Sequence, residues 1–382
     1  MQANNQQISK NETAIKILHI VLSLEPGGME NGLVNVANIL QDNGFDIYVC
    51  CLEKEGDFAS RMPVKSNIFV LNKPPGISIK TAIRLSKLIR QLQPQIVHSH
   101  NFGPLIYATM AKYLSPNFVL LHGEHGMIKK EDSSKSKIIL RKLCYKNCDL
   151  VHTVSEGLKK YFIEQGFPEK KIIALTNGVD TARFKPGNRE AARQFTGLPS
   201  DAIVLGIVGR FDAGKRHIAL IDAFNRLGEK YKDLYLLIVG DGGTDCKQVK
   251  EFINASPFKE RIKVAGYQKE MVPFYQAMNL LVIPSLKEGF PNVLLEAMAC
   301  GVPALANPTP GTAETISPDV DGLIANLENT DGITHSIENA IKDIKRLEIL
   351  GKNARVKVEK KFSLESMARL YADAYRKLAN KR

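Results

Sequence analysis

No run of apolar residues in this 382-residue chain approaches the ~18 that a membrane-spanning helix needs. No apolar core follows a basic N-terminal stretch, so a secretory leader is not expected. The first 14 residues, MQANNQQISKNETA, are polar and are expected to form a disordered segment 1–14. The six cysteines include no CxxC pair: Cys50 and Cys51 are adjacent, and Cys144 and Cys148 have no histidine beside them. That spacing argues against a structural metal or a disulfide framework and for buried, reduced thiols in a cytoplasmic protein. No repeat with a period of ~20–50 residues is visible, which sets aside solenoids and propellers. Acid is missing from one long stretch: Phe58 to Gly123 holds eight Lys or Arg and no Asp or Glu.

The chain carries a net charge of +12, and the bias continues at Lys129–Lys146, with seven Lys or Arg against Glu131 and Asp132. Two readings stay open. One is a solvated basic face; the other is attraction to anionic lipid headgroups or a phosphate-bearing acceptor. Nucleic acid fits less well, because aromatics are not interleaved with the charges. Apolar content of 44% and charged content of 24% are globular values, and the length suggests two domains at ~150 residues each. Short apolar runs alternate with helical stretches from Ile15 onward, the pattern of a parallel sheet wrapped by helices. Turn residues at Asn177–Asp180 and Phe184–Gly187 interrupt the alternation, which then restarts at Ala202. The expected organisation is an α/β domain over 15–180, a second over 181–362 and a terminal helix over 363–382.

Residues 279–306, NLLVIPSLKEGFPNVLLEAMACGVPALA, read as strand, loop, helix, turn and strand. Pro291 and Asn292 are helix-start residues, with Asn292 a candidate N-cap, and Gly301 with Pro303 stops the helix. The helix is apolar except for Glu296, and Glu288 lies in the loop before it. A Glu on so apolar a helix is seldom buried without a partner. The N–H groups near Asn292–Leu294 have no helical acceptor and form a candidate anion site. Carboxylates on either side of such a site would accept hydrogen bonds from hydroxyls. A nucleoside diphosphate sugar, anionic in the middle and hydroxylated at both ends, has that shape. The competing reading is an ordinary α/β crossover with Glu296 on a thin solvent stripe.

Gly209-Arg-Phe-Asp-Ala-Gly-Lys-Arg216 follows a strand and nearly fits a P-loop. Arg216 stands where Ser or Thr would hold Mg²⁺, so Gly209 and Lys215 suggest phosphate chemistry without the metal. A P-loop-like NTP-binding module remains the alternative. Gly27-Gly28, after the first strand, would let backbone N–H groups approach an anion. His98, His100, His122 and His125 cluster in sequence. Zinc is the rival reading there, but the pairs sit on separate loops without a helical H-E-x-x-H arrangement, and no metal site is expected. Asp319-Val-Asp321 lies between Pro318 and Gly322 and reads as a turn.

The segment EGFPNVLLEAMACGVP resembles the Glu–seven–Glu signature of retaining glycosyltransferases of family 4, which have the GT-B fold. The likeness runs from Ile15 to about Leu378. It implies two Rossmann-like α/β domains with a cleft between them, an N-terminal acceptor domain and a C-terminal nucleotide-sugar domain. By resemblance, Glu288 meets the donor sugar's hydroxyls and Glu296 the ribose. Arg210 and Lys215 hold the diphosphate, and the Gly266–Tyr267 region borders the base. Gly27-Gly28 matches the family's GGxE loop, although Asn31 stands where many members carry Arg. A histidine past the fifth strand lies near the reacting sugar carbon; His122 and His125 both precede Gly, and the reading favours His125. The resemblance implies catalytic His125, Arg210, Lys215 and Glu288. It implies a donor site of Gly27, Gly28, Gly209, Arg210, Lys215, Tyr267, Glu288, Gly289, Phe290, Pro291, Asn292, Val293 and Glu296. No cofactor or metal is implied. HGEHG also resembles sugar transferases of bacterial exopolysaccharide assembly, which suggests a glycan or lipid-linked acceptor and peripheral membrane attachment. A nucleotide-sugar epimerase of the same fold is the alternative.

Overall fold

The structure is a computed structural model and describes residues 14–381; the first 13 residues, which carry most of the expected disordered segment, lie outside it. The chain divides into two compact units. One holds Met1–His152, Pro168–Ile173 and Ala368–Arg382; the other holds Thr153–Phe167 and Ala174–Met367.

In chain order the first half runs β1 (Ile15–Val21), α1 (Gly28–Leu40), β2 (Phe45–Cys51), β3 (Ile68–Val70), α2 (Ile79–Leu92), β4 (Ile96–His100), α3 (Phe102–Leu114), β5 (Val119–Glu124), α4 (Lys135–Asn147), β6 (Leu150–Thr153), α5 (Glu156–Glu164) and β7 (Ile172–Ala174). The strands form one parallel sheet in the order β3-β2-β1-β4-β5-β6-β7. Strands such as β1, IKILHIV, are mostly apolar and buried from Ile17 onward, as expected of a parallel sheet covered on both faces, with His19 a buried polar exception. The order reverses between β1 and β4, and ligands of such sheets bind beyond the strand ends at that point.

The second half runs α6 (Arg189–Thr196), β8 (Ile203–Val208), α7 (His217–Gly228), β9 (Leu234–Val239), α8 (Cys246–Asn254), β10 (Ile262–Gly266), α9 (Val272–Ala277), β11 (Leu280–Ile283), α10 (Asn292–Ala299), β12 (Ala304–Ala306), α11 (Pro310–Thr315), β13 (Leu323–Ile324), α12 (Thr330–Ile341), α13 (Ile344–Lys361) and α14 (Leu364–Ala379). Its sheet has the order β10-β9-β8-β11-β12-β13, reversing between β8 and β11. Leu205, Ile207, Phe224, Leu236, Ile238 and Val282 pack at its centre.

Several local expectations change. The apolar run Asn117–Leu121 predicts a fifth strand that stops at Leu121, but the strand runs on to Glu124. His122 and Gly123 stay in register with Ser99 and His100 of β4, and with Glu124 the strand carries three polar or small residues into the interior. The charged stretch Thr330–Lys361 reads from the sequence as one helical segment, and the structure divides it into two helices, α12 and α13. Asp343 breaks it by accepting a hydrogen bond from the Arg346 N–H at 2.9 Å, which caps α13. Pro291 rather than Asn292 takes the cap position of α10. The short helices α6 and α11 were not expected. Each has a side-chain cap, from Asn188 and from Thr309. Asp319–Gly322 is a turn, closed by the Asp319 N–H to the Gly322 carbonyl. Its second acid, Asp321, pairs with Lys357 at 2.9 Å. All six cysteines are unpaired; five are buried and Cys246 is half-buried.

Candidate active site

Two loops meet beside the β8/β11 reversal. After β8 the chain turns at Gly209, whose φ of 147° suits glycine, and passes through a single 3₁₀ turn, Ala213–Lys215. After β11 it runs through Pro284 and Ser285 to Glu288. The Leu286 N–H bonds the Gly214 carbonyl at 3.3 Å and ties the loops together. The Lys215 ammonium then reaches the Glu288 carboxylate at 2.6 Å. The pair shares a recess with Val208, Ser285 and Val293. Arg210, on the same loop, is 76% exposed along its side chain and pairs with Asp212 at 3.0 Å. Arg216 turns away and donates to the Glu328 carbonyl at 2.7 Å, so the last position of the near-P-loop faces backbone rather than phosphate.

The Glu288–Pro291 loop is pinned from below. The Ser155 hydroxyl donates to the Gly289 carbonyl at 2.9 Å, and the Gly311 N–H donates to the Glu288 carbonyl at 3.2 Å. Any side chain at Gly311 would run into the Gly289–Phe290 backbone. Phe290 is buried against Phe362, with ring centroids 5.6 Å apart. These anchors set the start of α10, where the Asn292 amide oxygen accepts from the Asn177 amide at 3.1 Å. One turn on, Glu296 accepts from the Tyr275 hydroxyl at 2.7 Å. Burial pushes the Glu296 carboxyl up to about 7, against smaller opposing effects of that hydrogen bond and of Arg183. The Tyr267 ring, just after β10, is 60% exposed.

Gly27, Gly28 and His125 belong to the other unit. Gly27 caps α1 in an extended conformation, and the Glu30 carboxylate folds back over it, so an acidic group already sits at that helix start. Burial raises the Glu30 pKa. The β4/β5 pairing separates the histidines. His122 is in register with Ser99, bonds its hydroxyl at 3.0 Å and reaches Glu124 at 3.1 Å. Arg141 and Tyr145 of α4 also contact that carboxylate. The ring is fully buried in this polar cluster. On the other face His19, His98, His100, His125 and His152 gather against Tyr371 and Tyr375. Two triads there, His19/His98/His100 and His100/His125/His152, bring their ring nitrogens close enough together for a metal ion, which the sequence reading did not expect. Burial holds His19 down to about 3, and burial with mutual repulsion keeps His98, His100 and His125 well below the usual range. Sequence reasoning missed His19 and His152, because only the strand order β1-β4-β5-β6 brings them to the HSH and HGEH segments.

Two family models account for most of the chain: "Glycosyltransferase Family 4" over residues 26–183 and "Glycosyl transferases group 1" over residues 188–357. The chain belongs to glycosyltransferase family 4. Its relatives include the Escherichia coli UDP-Gal:alpha-D-GlcNAc-diphosphoundecaprenol alpha-1,3-galactosyltransferase, 24% identical over 96% of this chain and 98% of that one. Another is the Staphylococcus aureus capsular polysaccharide biosynthesis glycosyltransferase CapM, 25% identical over 91% and 93%. Among solved structures, Anabaena HepE in complex with UDP and glucose superposes with a TM-score of 0.84 at 21% identity, over 95% of this chain and all of that one. At that identity the likeness shows the fold, and the family 4 glycosyltransferase therefore has two Rossmann-like domains of the GT-B class. No helix among the described residues is long and apolar enough to cross a membrane. The epimerase reading gains nothing from these relatives.

Proposed function

We propose that this family 4 enzyme transfers a hexose, with retention of anomeric configuration, from a nucleoside diphosphate sugar to a glycan or lipid-linked acceptor in bacterial surface-polysaccharide assembly. The observation that carries this reading is the Lys215–Glu288 contact at the mouth of α10. Glu288 accepts from the donor sugar's hydroxyls, Glu296 from the ribose, and the first N–H groups of α10 face the diphosphate. Tyr267 borders the base, and His125 orients the sugar. The bond between the anomeric carbon and the phosphate oxygen breaks, and the acceptor oxygen bonds to the same face of that carbon. The acceptor's proton passes to the leaving phosphate oxygen. Arg210 and Lys215 stabilise the charge that develops there, the work a divalent ion would otherwise do.

A thermal-shift screen over UDP-, GDP- and ADP-sugars tests this directly. One base class should raise the melting temperature with EDTA present, because a ligand at 100 times its Kd adds about 2.7 kcal/mol of stability. The glycosidic product, followed by NMR as it forms, should first appear with the donor's anomeric configuration. A rise that requires Mg²⁺, or an inverted product, removes the metal-free retaining mechanism.

Residence on the inner face of the cytoplasmic membrane is part of the proposal, and α4 supports it. Ile139, Leu140 and Leu143 stand outward on that helix at 59%, 37% and 49% exposure. Lys135, Lys137 and Lys146 are exposed around them. An apolar ridge bordered by lysines suits the interface of an anionic bilayer. Vesicles containing phosphatidylglycerol should sediment the protein, and pure phosphatidylcholine vesicles should not. Ile139→Asp with Leu143→Asp should weaken that binding about tenfold or more, since each removes apolar burial and adds repulsion. Equal binding by the double variant would detach α4 from the membrane.

A further inference from the structure

The histidine face of the first sheet contains a connected chain. His19 Nδ1 and His100 Nε2 share a hydrogen bond of 2.8 Å, and His100 Nδ1 and His125 Nε2 share one of 2.9 Å. His19 and His100 are 1% and 2% exposed, while His125 is half-buried. The two terminal nitrogens, His19 Nε2 and His125 Nδ1, are buried and have no hydrogen-bond partner among the described residues. Gly123 makes room for the arrangement, since a Cβ there would lie 3.0 Å from His125 Nε2 and 2.5 Å from the His152 ring.

Three neutral imidazoles carry three N–H protons, and the two shared bonds use two of them. The third must sit on one end of the chain or the other. If His125 Nδ1 holds it, His100 donates to His125 and His19 donates to His100. If His19 Nε2 holds it, both bonds reverse and His125 Nδ1 presents a lone pair. The rings therefore change tautomer together, and whichever ligand group meets His125 Nδ1 selects the state of all three.

We propose that His100 and, behind it, His19 are positioning residues that fix the orientation of His125 and decide which of its nitrogens carries the proton. This rests on the reading of His125 as the histidine that meets the donor sugar. A sugar hydroxyl that donates to Nδ1 selects the reversed state, and one that accepts selects the forward state. The second-row imidazoles thus act on the sugar through His125 without touching it.

The test combines kinetics with ¹⁵N NMR of the histidine rings in the full chain. His100→Phe should remove the bond to His125 and lower kcat about tenfold, leaving the donor KM within about threefold. His100→Asn keeps an amide near the Nδ1 position and should restore most of the lost kcat. His19→Phe should lie between His100→Phe and the wild type. In the wild type the His125 ring should show one dominant tautomer that His100→Phe changes to a mixture. If His100→Phe is folded by circular dichroism, keeps full kcat and leaves the His125 ring shifts unchanged, the proposal fails. It also fails if purified protein retains one equivalent of zinc that His100→Phe loses, because the nitrogens would then hold an ion rather than one another. The parent reading fails separately: His125→Ala would be fully active while His100→Phe still altered the His125 ring shifts in the wild-type background.

Discussion

Lys215→Ala should lower kcat with the donor identified by thermal shift by two to three orders of magnitude, on the order of 3 kcal/mol of transition-state stabilisation. The ammonium sits 2.6 Å from Glu288, with its side chain about one-third exposed and that of Glu288 nearly enclosed. In the free enzyme the two charges neutralise each other. In the proposed mechanism the ammonium stands between the carboxylate and the leaving phosphate of the bound donor, and it would gain most as charge develops on that oxygen. The loss should therefore fall on kcat more than on donor KM. Lys215→Ala also strands Glu288 without its cation. Glu288→Gln in the same chain removes that stranded charge, so the double variant should lose less than the two single losses added together. Steady-state kinetics of the wild type, the two single variants and the double variant close the cycle. A Lys215→Ala enzyme with wild-type kcat would remove the loop after β8 from the chemistry.

The parts of this arrangement that sequence discloses are those held by local punctuation. Pro284, Pro291, Gly301 and Pro303 bracket β11, α10 and β12 within a residue or two, because each acts on its own backbone. Gly209 is legible for the same reason, because its positive φ is a property of its own backbone. What sequence hides depends on which strand lies next to which. His19 and His100 are 81 residues apart and meet only because β4 inserts beside β1. His122 and His125 look equivalent in HGEHG, yet the register of β5 on β4 sends the His122 ring under α4. An apolar-run criterion ended that strand early, since His122, Gly123 and Glu124 are buried without being hydrophobic. Thr153–Phe167 groups with the second unit although it precedes the interdomain turn residues, and its Gly157 packs on the Pro310 backbone of α11. Nothing in the segment itself signals that partner.

Glu296→Gln should make the enzyme more stable at pH 8 and a poorer binder of its donor. The folded carboxyl sits at about 7 against an ordinary value of 4.5, with burial the leading cause. Between those values the native state holds a proton that the unfolded chain has released, so stability falls as pH rises through that window. Above it the charged group costs roughly 1–3 kcal/mol, allowing for its partial access to solvent. Gln removes that cost and still accepts from the Tyr275 hydroxyl. Its melting temperature should exceed the wild type's at pH 8 and match it near pH 4.5, where both side chains are neutral. Binding should move the other way. A carboxylate accepting from ribose hydroxyls contributes about 1.5–3 kcal/mol, so the donor KM should rise about tenfold in Glu296→Gln. In the wild type the donor KM should climb as pH drops below about 7, and in the variant it should be flat. If Glu296→Gln gains stability at pH 8 with an unchanged KM, the carboxylate is buried for some reason other than the ribose. If it gains neither stability nor KM, Glu296 is an ordinary half-exposed acid. The opposed changes would show that the chain keeps a destabilising charge on an otherwise apolar helix because the donor requires it.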